Sequence, residues 1–224
     1  MKTPQQIYGN HPPDWSWVEL PDSPDSITTS QHDDMIAFVR VDHDDSPENP
    51  CEWGTMGTIR SFSNRHINHV KSQGELNDLL ESNPDAVALS YFEHGQCRWG
   101  VRGTMSNMPD FRWDGVEFAG IWIPEKDDVD NANTLGLTDD ARAKFFEERA
   151  ESACKIYTYW ANGEVYGYHI RIYKIRKHES GAVLDYVGDY RHDEPVFEDS
   201  CYGFYGWEDL ESQLKEALGH VSRD

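Results

Sequence analysis

Carboxylates in short clusters are the side chains of this sequence whose type and spacing most readily support chemistry. The clustered residues are Asp33, Asp34, Asp42, Asp44, Asp45, Asp127, Asp128, Asp130, Asp139 and Asp140. A rigid set of carboxylates spaced like DNA phosphates can occupy the basic groove of a DNA-binding protein, and Coulomb attraction steers such an encounter. Each cluster is also typical of a solvated loop, and Asp139 and Asp140 suit the first turn of a helix.

The charge of the whole chain agrees with this interpretation. Its 224 residues contain 41 Asp and Glu against 20 Lys and Arg, a formal net charge of −21. That excess opposes direct binding to nucleic acid or to an anionic membrane surface, because both carry phosphate charge. It favours a partner with a basic surface, although a solvated acidic surface or adaptation to high salt gives the same composition. We therefore expect a host protein with a basic, DNA-binding surface as the partner, no nucleic acid and no membrane. A homodimer is left open.

A second group of residues, His94, Asp114, Glu164 and Cys201, supports an enzyme as an alternative. A histidine with two carboxylates can transfer protons or hold a divalent metal, and a cysteine can act as a nucleophile. Their spacing does not require that they meet, and His94 and Asp114 also suit hydrogen bonds in turns. The sequence contains no phosphate-loop, dinucleotide, nucleophile-elbow or zinc-helix motif. The prediction is no catalytic activity, no cofactor and no metal, with a metal-dependent enzyme kept as an alternative.

Two tryptophans near the N-terminus, Trp15 and Trp17, are candidate anchors for a protein partner, because aromatic side chains dominate many interfaces. Their other interpretation is core packing. Aromatic residues make up 12% of the chain, and such large rings supply core area where aliphatic residues are few. A protein that binds a host or phage protein through aromatic residues, without mimicry, is the main alternative to an acidic mimic.

Hydrophobic periodicity predicts the elements that position these residues. Strands are predicted at residues 35–41, 57–62, 86–92, 97–101, 116–123, 165–175 and 182–190, and helices at 73–82, 138–161 and 207–218. The longest helix has Thr138 as its N-cap and ends at Asn162-Gly163. The last two strands are predicted to pair through a turn at residues 179–181. The fold class is α+β with a mainly antiparallel sheet.

Composition distinguishes the N-terminal part of the chain. Residues 1–85 form an acidic N-terminal region whose first thirty residues, rich in Pro, Asp and Ser, are expected to be an extended arm. An acidic linker is expected at residues 125–130. No run of about 18 apolar residues occurs, which predicts no membrane span. The N-terminus lacks the apolar stretch of a secretory signal, so the expected location is the cytoplasm.

Two segments combine glycine with large rings: residues 162–168 (Asn-Gly-Glu-Val-Tyr-Gly-Tyr) and 199–206 (Asp-Ser-Cys-Tyr-Gly-Phe-Tyr-Gly). Glycine permits turns and close backbone approach while rings pack across neighbouring strands. The segments therefore predict a tightly packed module. The functional alternative is a pocket in which Glu164 and Cys201 face each other.

The same two segments resemble a motif pair of uncharacterised phage-encoded proteins, in which Trp more often stands where this chain has Tyr202. Those proteins also carry a Tyr-x-His turn and a Trp-Asp before an apolar strand. Here the corresponding segments are residues 91–95, one residue longer, and 113–116. The resemblance covers residues 86–218, and it implies one α+β domain over residues 86–224, separate from the N-terminal region 1–85. It implies a viral or prophage origin and action in the cytoplasm of an infected or lysogenic bacterium, and it implies no activity.

Charge and resemblance together favour one hypothesis. The chain is predicted to be a phage-derived inhibitor that binds a host DNA-handling or defence protein by DNA mimicry.

Overall fold

The computed structural model describes residues 15–61 and 69–219. The chain divides into two compact units, Met1–Asp45 with Val165–Asp224, and Ser46–Glu164. Each hydrophobic core cluster of the described residues belongs to one unit or the other. Both units combine antiparallel sheet with helix, which confirms the α+β class. The boundary expected between residues 85 and 86 instead falls inside the second unit, because Ile59 and Leu76 share core clusters with later residues.

The first unit is a four-stranded antiparallel sheet with one helix. Its strands, numbered along the whole chain, are β1 (Ser26–His32), β2 (Met35–His43), β7 (Val165–Lys174) and β8 (Phe197–Tyr205), paired in that order, and its helix is α5 (Trp207–Ala217). Alternation along β7 buries Tyr168, Ile170 and Ile172 on one face. Leu210 and Leu214 of α5 belong to the same core cluster, so the helix covers that face.

One predicted strand of the first unit is wrong. The predicted turn at residues 179–181 is present, and Lys177 and Val183 form an antiparallel bridge across it. Residues 182–190 do not continue as a strand beside β7, however, and they end in a 3-10 turn, Val187–Tyr190. Tyr190 accounts for the difference. Its buried hydroxyl donates to the Leu184 carbonyl and accepts from the Arg176 N–H, so side-chain bonds satisfy backbone groups that a strand ladder would otherwise satisfy. The neighbour of β7 is β8.

The extended arm predicted over the first thirty residues is wrong where it overlaps β1. This strand begins at Ser26 and pairs with β2 along its whole length. Its sequence, Ser-Ile-Thr-Thr-Ser-Gln-His, contains one aliphatic residue. This edge strand therefore lacks the hydrophobic alternation from which a strand is predicted. Residues 1–14 lie outside the described part of the chain.

The second unit is a four-stranded antiparallel sheet flanked by helices. Its strands are β3 (Thr58–Ser61), β4 (Val87–His94), β5 (Gln96–Val101) and β6 (Gly115–Ile123), in the spatial order β3-β6-β4-β5, and its helices are α1 (Gln73–Ser82), α2 (Phe111–Asp114), α3 (Lys126–Thr134) and α4 (Asp139–Ala161). β5 is therefore an edge strand. The predicted strand at residues 57–62 corresponds to β3, and Phe62 lies outside the described residues.

Helix α4 begins one residue later than predicted and ends at the predicted residue. Thr138 Oγ1 accepts from the Ala141 N–H at 3.4 Å, and Gly163 follows the helix with φ of 73°. Its buried face carries Phe146, Ala150, Ala153, Cys154 and Tyr157. The acidic linker expected at residues 125–130 is instead the start of α3.

The two glycine-aromatic segments pack against each other as neighbouring strands. Gly167 lies opposite Tyr202 in the β7–β8 pair. A Cβ at Gly167 would come within 2.1 Å of Tyr202 Cδ1, so the ring occupies the space that any larger residue would need. Tyr168 and Phe204 stack at a centroid distance of 5.6 Å. The packed interpretation of these segments is therefore the one that the strand pairing supports.

Candidate functional site

The structure brings together two of the residues proposed for acid–base chemistry. His94 ends β4 just before the turn at Gly95, and Asp114 ends α2. His94 Nδ1 and Asp114 Oδ2 are 2.8 Å apart. This hydrogen bond, together with the charges of Asp114 and Asp110, raises the pKa of His94. The His94 side chain is 73% exposed, so the pair lies open to solvent.

The other two candidates are placed differently. Glu164 Oε1 accepts from Gln96 Nε2 at 3.1 Å and lines the same groove as His94. Cys201 lies in β8, which belongs to the first unit, whereas Glu164 belongs to the second. Within residues 15–61 and 69–219, no three or more His, Cys, Asp or Glu side chains are close enough together to hold a metal ion. Of the four predicted residues, His94 and Asp114 therefore form a pair, and Glu164 lines the same groove as His94. Cys201 belongs to the other unit.

Three polar side chains near this groove have a structural task. β5 is an edge strand, and its outward N–H groups would otherwise lack partners. The N–H groups of Cys97, Trp99 and Val101 donate to Asn162 Oδ1, Thr158 Oγ1 and Glu151 Oε2 of the α4 segment, at 2.9, 3.0 and 3.0 Å. Helix α4 thus protects the sheet edge through its side chains. The sequence did not indicate this role, because the partners are at least fifty residues apart.

The acidic clusters of the first unit lie at the two ends of β2. Asp33 and Asp34 form the turn before it, where Asp33 has φ of 52°. Asp42, Asp44 and Asp45 lie at its other end, where Arg40 Nε donates to Asp42 Oδ1 at 2.7 Å. Burial, followed by the charge of Asp42 and of its acidic neighbours, raises the pKa of the Tyr202 hydroxyl.

The acidic clusters of the second unit lie at the starts of α3 and α4. Asp128 is buried and pairs with Arg149 at 3.5 Å, and Asp130 pairs with Lys126. The buried Asp128 therefore has a basic partner within the unit, whereas Lys126 and Asp130 form an exposed i,i+4 pair that contributes little stability. Asp127, Asp139 and Asp140 occupy first helical turns, where carboxylates favour the positive end of the helix dipole.

The two tryptophans predicted as anchors pack inside the first unit. Trp15 is 7% exposed and contacts Phe197 at a ring distance of 5.9 Å. Trp17 is partly buried against the same cluster and stacks on His32. Both therefore follow the core interpretation, because β1 and β8 give them apolar surface to cover.

Among the described residues, the exposed tryptophan is Trp113, which the sequence analysis did not predict as an anchor. It is 72% exposed, and the Arg112 guanidinium lies 4.8 Å from its ring centroid. Helix α2 has four residues, and Phe111 is its buried one, stacked on Phe92. Residues two positions apart in a helix point to different sides. Burial of Phe111 therefore leaves Trp113 exposed to solvent.

The Asp114→Asn substitution should lower the pKa of His94 towards its ordinary value, because it removes the negative partner. The raised pKa means that the pair contributes stability below the ordinary histidine pKa of 6.5 and loses that contribution as pH rises through the raised value. Titration of the His94 ring by NMR, in the parent and in the variant, measures the change. An unchanged pKa of His94 in the variant would show that Asp114 is not the cause of the raised value.

Among the described residues, no helix combines the length and the apolar character needed to cross a bilayer. Comparison with known proteins finds no family model, no curated protein and no solved structure that matches the chain.

Proposed function

We propose that the chain is a phage-derived inhibitor that binds a host DNA-handling or defence protein by DNA mimicry, in the cytoplasm of an infected bacterium. The observation that carries the proposal is an acid excess in both units. Ser46–Glu164 contains 20 Asp and Glu against 11 Lys and Arg, and the rest of the chain contains 21 against 9. The negative field therefore belongs to two folded units and is not confined to a tail.

Part of this charge is not engaged in ion pairs within the described residues. Within the described residues, no Lys or Arg forms an ion pair with Asp34, Asp45, Asp127, Asp139 or Asp140. Carboxylates of this kind, held on turns and helix starts, are available to the Lys and Arg side chains of a partner. Asp42, Asp128 and Asp130, which have basic partners of their own, contribute less.

Trp113 supports a second candidate, a protein that binds its partner through an exposed aromatic residue without mimicry. Single tryptophans often provide much of the binding free energy of an interface. Because the Trp113 side chain is 72% exposed, a partner can cover it without any change in the fold. Trp113 takes the place of Trp15 and Trp17 in this alternative.

A pull-down from bacterial lysate at about 0.1 M and about 0.5 M salt separates the two candidates, because screening weakens charge-based contacts most. Mimicry predicts capture of a DNA-binding protein that is lost at the higher salt and displaced by duplex DNA. Capture that survives high salt, ignores DNA and disappears in Trp113→Ala would favour the aromatic candidate and contradict mimicry.

Neutralised variants then locate the charge that matters. Asp127→Asn, Asp139→Asn and Asp140→Asn combined should weaken binding to the captured protein roughly tenfold or more, because close interfacial charge pairs contribute well over 1 kcal/mol. The control combines Glu179→Gln, Asp185→Asn and Glu216→Gln, three exposed carboxylates outside the predicted clusters. Equal losses in both variants would show that net charge, and not the clusters, drives binding.

A further inference from the structure

A groove of about 580 Å³ runs beside the edge strand β5 in the second unit. Phe92 and Arg98 are cross-strand neighbours, as are His94 and Gln96, and these four side chains lie on the face of the β4–β5 hairpin opposite to the buried Tyr91–Trp99 pair. They form the floor of the groove. This volume falls within the range of small-molecule sites.

One face of α4 forms the facing wall. Ser152, Lys155 and Tyr159 recur at three- and four-residue spacing, which places them on the same side of the helix. The Lys155 ammonium lies 5.8 Å from the Tyr159 ring centroid. Met108 adds an apolar contact to the lining. The wall therefore offers an aromatic ring with a positive charge over it.

The carboxylates of the groove are already engaged. Glu151 accepts from the Val101 N–H, and Glu164 accepts from Gln96. Asp114, behind His94, is held by the imidazole. The hydrogen-bonding capacity of these carboxylates is thus partly used within the unit.

The basic groups of the groove are placed to meet a ligand. Arg98 is exposed, and within the described residues it forms no ion pair. A guanidinium binds carboxylate and phosphate groups through two parallel hydrogen bonds. Arg98 thus offers its positive charge to a ligand, whereas His94 is hydrogen-bonded to Asp114 and Lys155 lies over the Tyr159 ring. Tyr159 and Phe92 supply aromatic surface against which a flat group can pack.

We propose that this groove binds a small organic anion, a carboxylate or phosphate attached to a planar ring. Arg98 holds the anionic group, and the ring lies against the aromatic side chains of the floor and wall. This binding site is independent of the carboxylate clusters and of the protein partner proposed above.

The test follows backbone amide signals of the full-length, ¹⁵N-labelled chain during addition of benzoate and of phenyl phosphate. The signals of residues 96–101 should shift with at least one anion, with a dissociation constant on the order of 1 mM for so small a probe. The Arg98→Gln variant should raise that constant about fivefold or more, because the charged hydrogen bonds are lost. Arg112→Gln, which alters an exposed arginine next to Trp113, is the matched control and should bind as the parent does.

Three results would overturn the proposal. The first is an absence of shifts at residues 96–101 with both anions up to about 10 mM, which leaves no useful affinity. The second is equal binding by the parent and Arg98→Gln when that variant keeps its folded spectrum. The third is equal binding of benzamide, the neutral counterpart of benzoate, which would show that the groove does not select an anion.

Discussion

The Gly57→Ala variant should lose about 4 kcal/mol of unfolding free energy in the second unit. Gly57 has φ of +72°, and a Cβ there would lie 2.4 Å from Trp122 Nε1 and 2.6 Å from the Ile123 carbonyl oxygen. Trp122 is 1% exposed, and its Nε1 donates to the Met56 carbonyl at 2.7 Å. The added methyl group therefore strains the backbone, overpacks the core and displaces a buried hydrogen bond, and each effect costs about 1–2 kcal/mol.

Gly54→Ala is the matched control. Gly54 also has positive φ, +68°, but nothing lies within 4 Å of the position of its Cβ. This variant should lose about 1 kcal/mol, the cost of the backbone conformation alone. Thermal and denaturant unfolding followed by circular dichroism measures the stability of both variants. The melting temperature of Gly57→Ala should be lower than that of Gly54→Ala by roughly 10 °C or more. Equal losses in the two variants would show that contact with Trp122 adds nothing.

A chain in which a single glycine replaces residues 46–164 should still fold into the sheet of the first unit. His43 pairs with Tyr166, and the Asp44 N–H donates to the Val165 carbonyl at 2.8 Å, so the two ends of the removed segment are neighbours. The new Asp45-Gly would form a two-residue hairpin loop, a sequence that favours the required turn. Removal of the segment also lowers the entropy cost of closing β2 onto β7.

The separate segment 46–164 should fold as well, because its core clusters contain no residue of the first unit. Each fragment should unfold cooperatively and show dispersed amide signals. Leu210→Ala in the first fragment and Trp122→Ala in the second test whether these cores are native, since each fully buried residue should cost about 3–5 kcal/mol when truncated. A fragment that lacks cooperative unfolding, or that is insensitive to its core substitution, would contradict independent folding of that unit.

Elements with strong local signals were predictable. Helix α4 has a capping threonine, an apolar stripe and a glycine stop within one stretch of chain, and each of these acts over a few residues. Helices α1 and α5 and the central strands β4, β6 and β7 were also predictable, because their apolar residues recur at helical or alternating spacing. The strand β1 and the helix α3 were not predicted, because their sequences are polar and lack a hydrophobic periodicity. Contacts with neighbouring elements stabilise them instead.

The sequence by itself determined the acid excess, the α+β class and the positions of the strongly periodic elements, because composition and short-range periodicity are properties of the chain alone. The tertiary structure alone decided that residues 46–164 form a separate unit, that β8 and not residues 182–190 is the neighbour of β7, and that Trp15 is buried while Trp113 is exposed. It also decided that His94 meets Asp114 and that Cys201 belongs to the other unit. These outcomes depend on contacts between residues far apart in the chain, and such contacts form only when the cores of whole units pack.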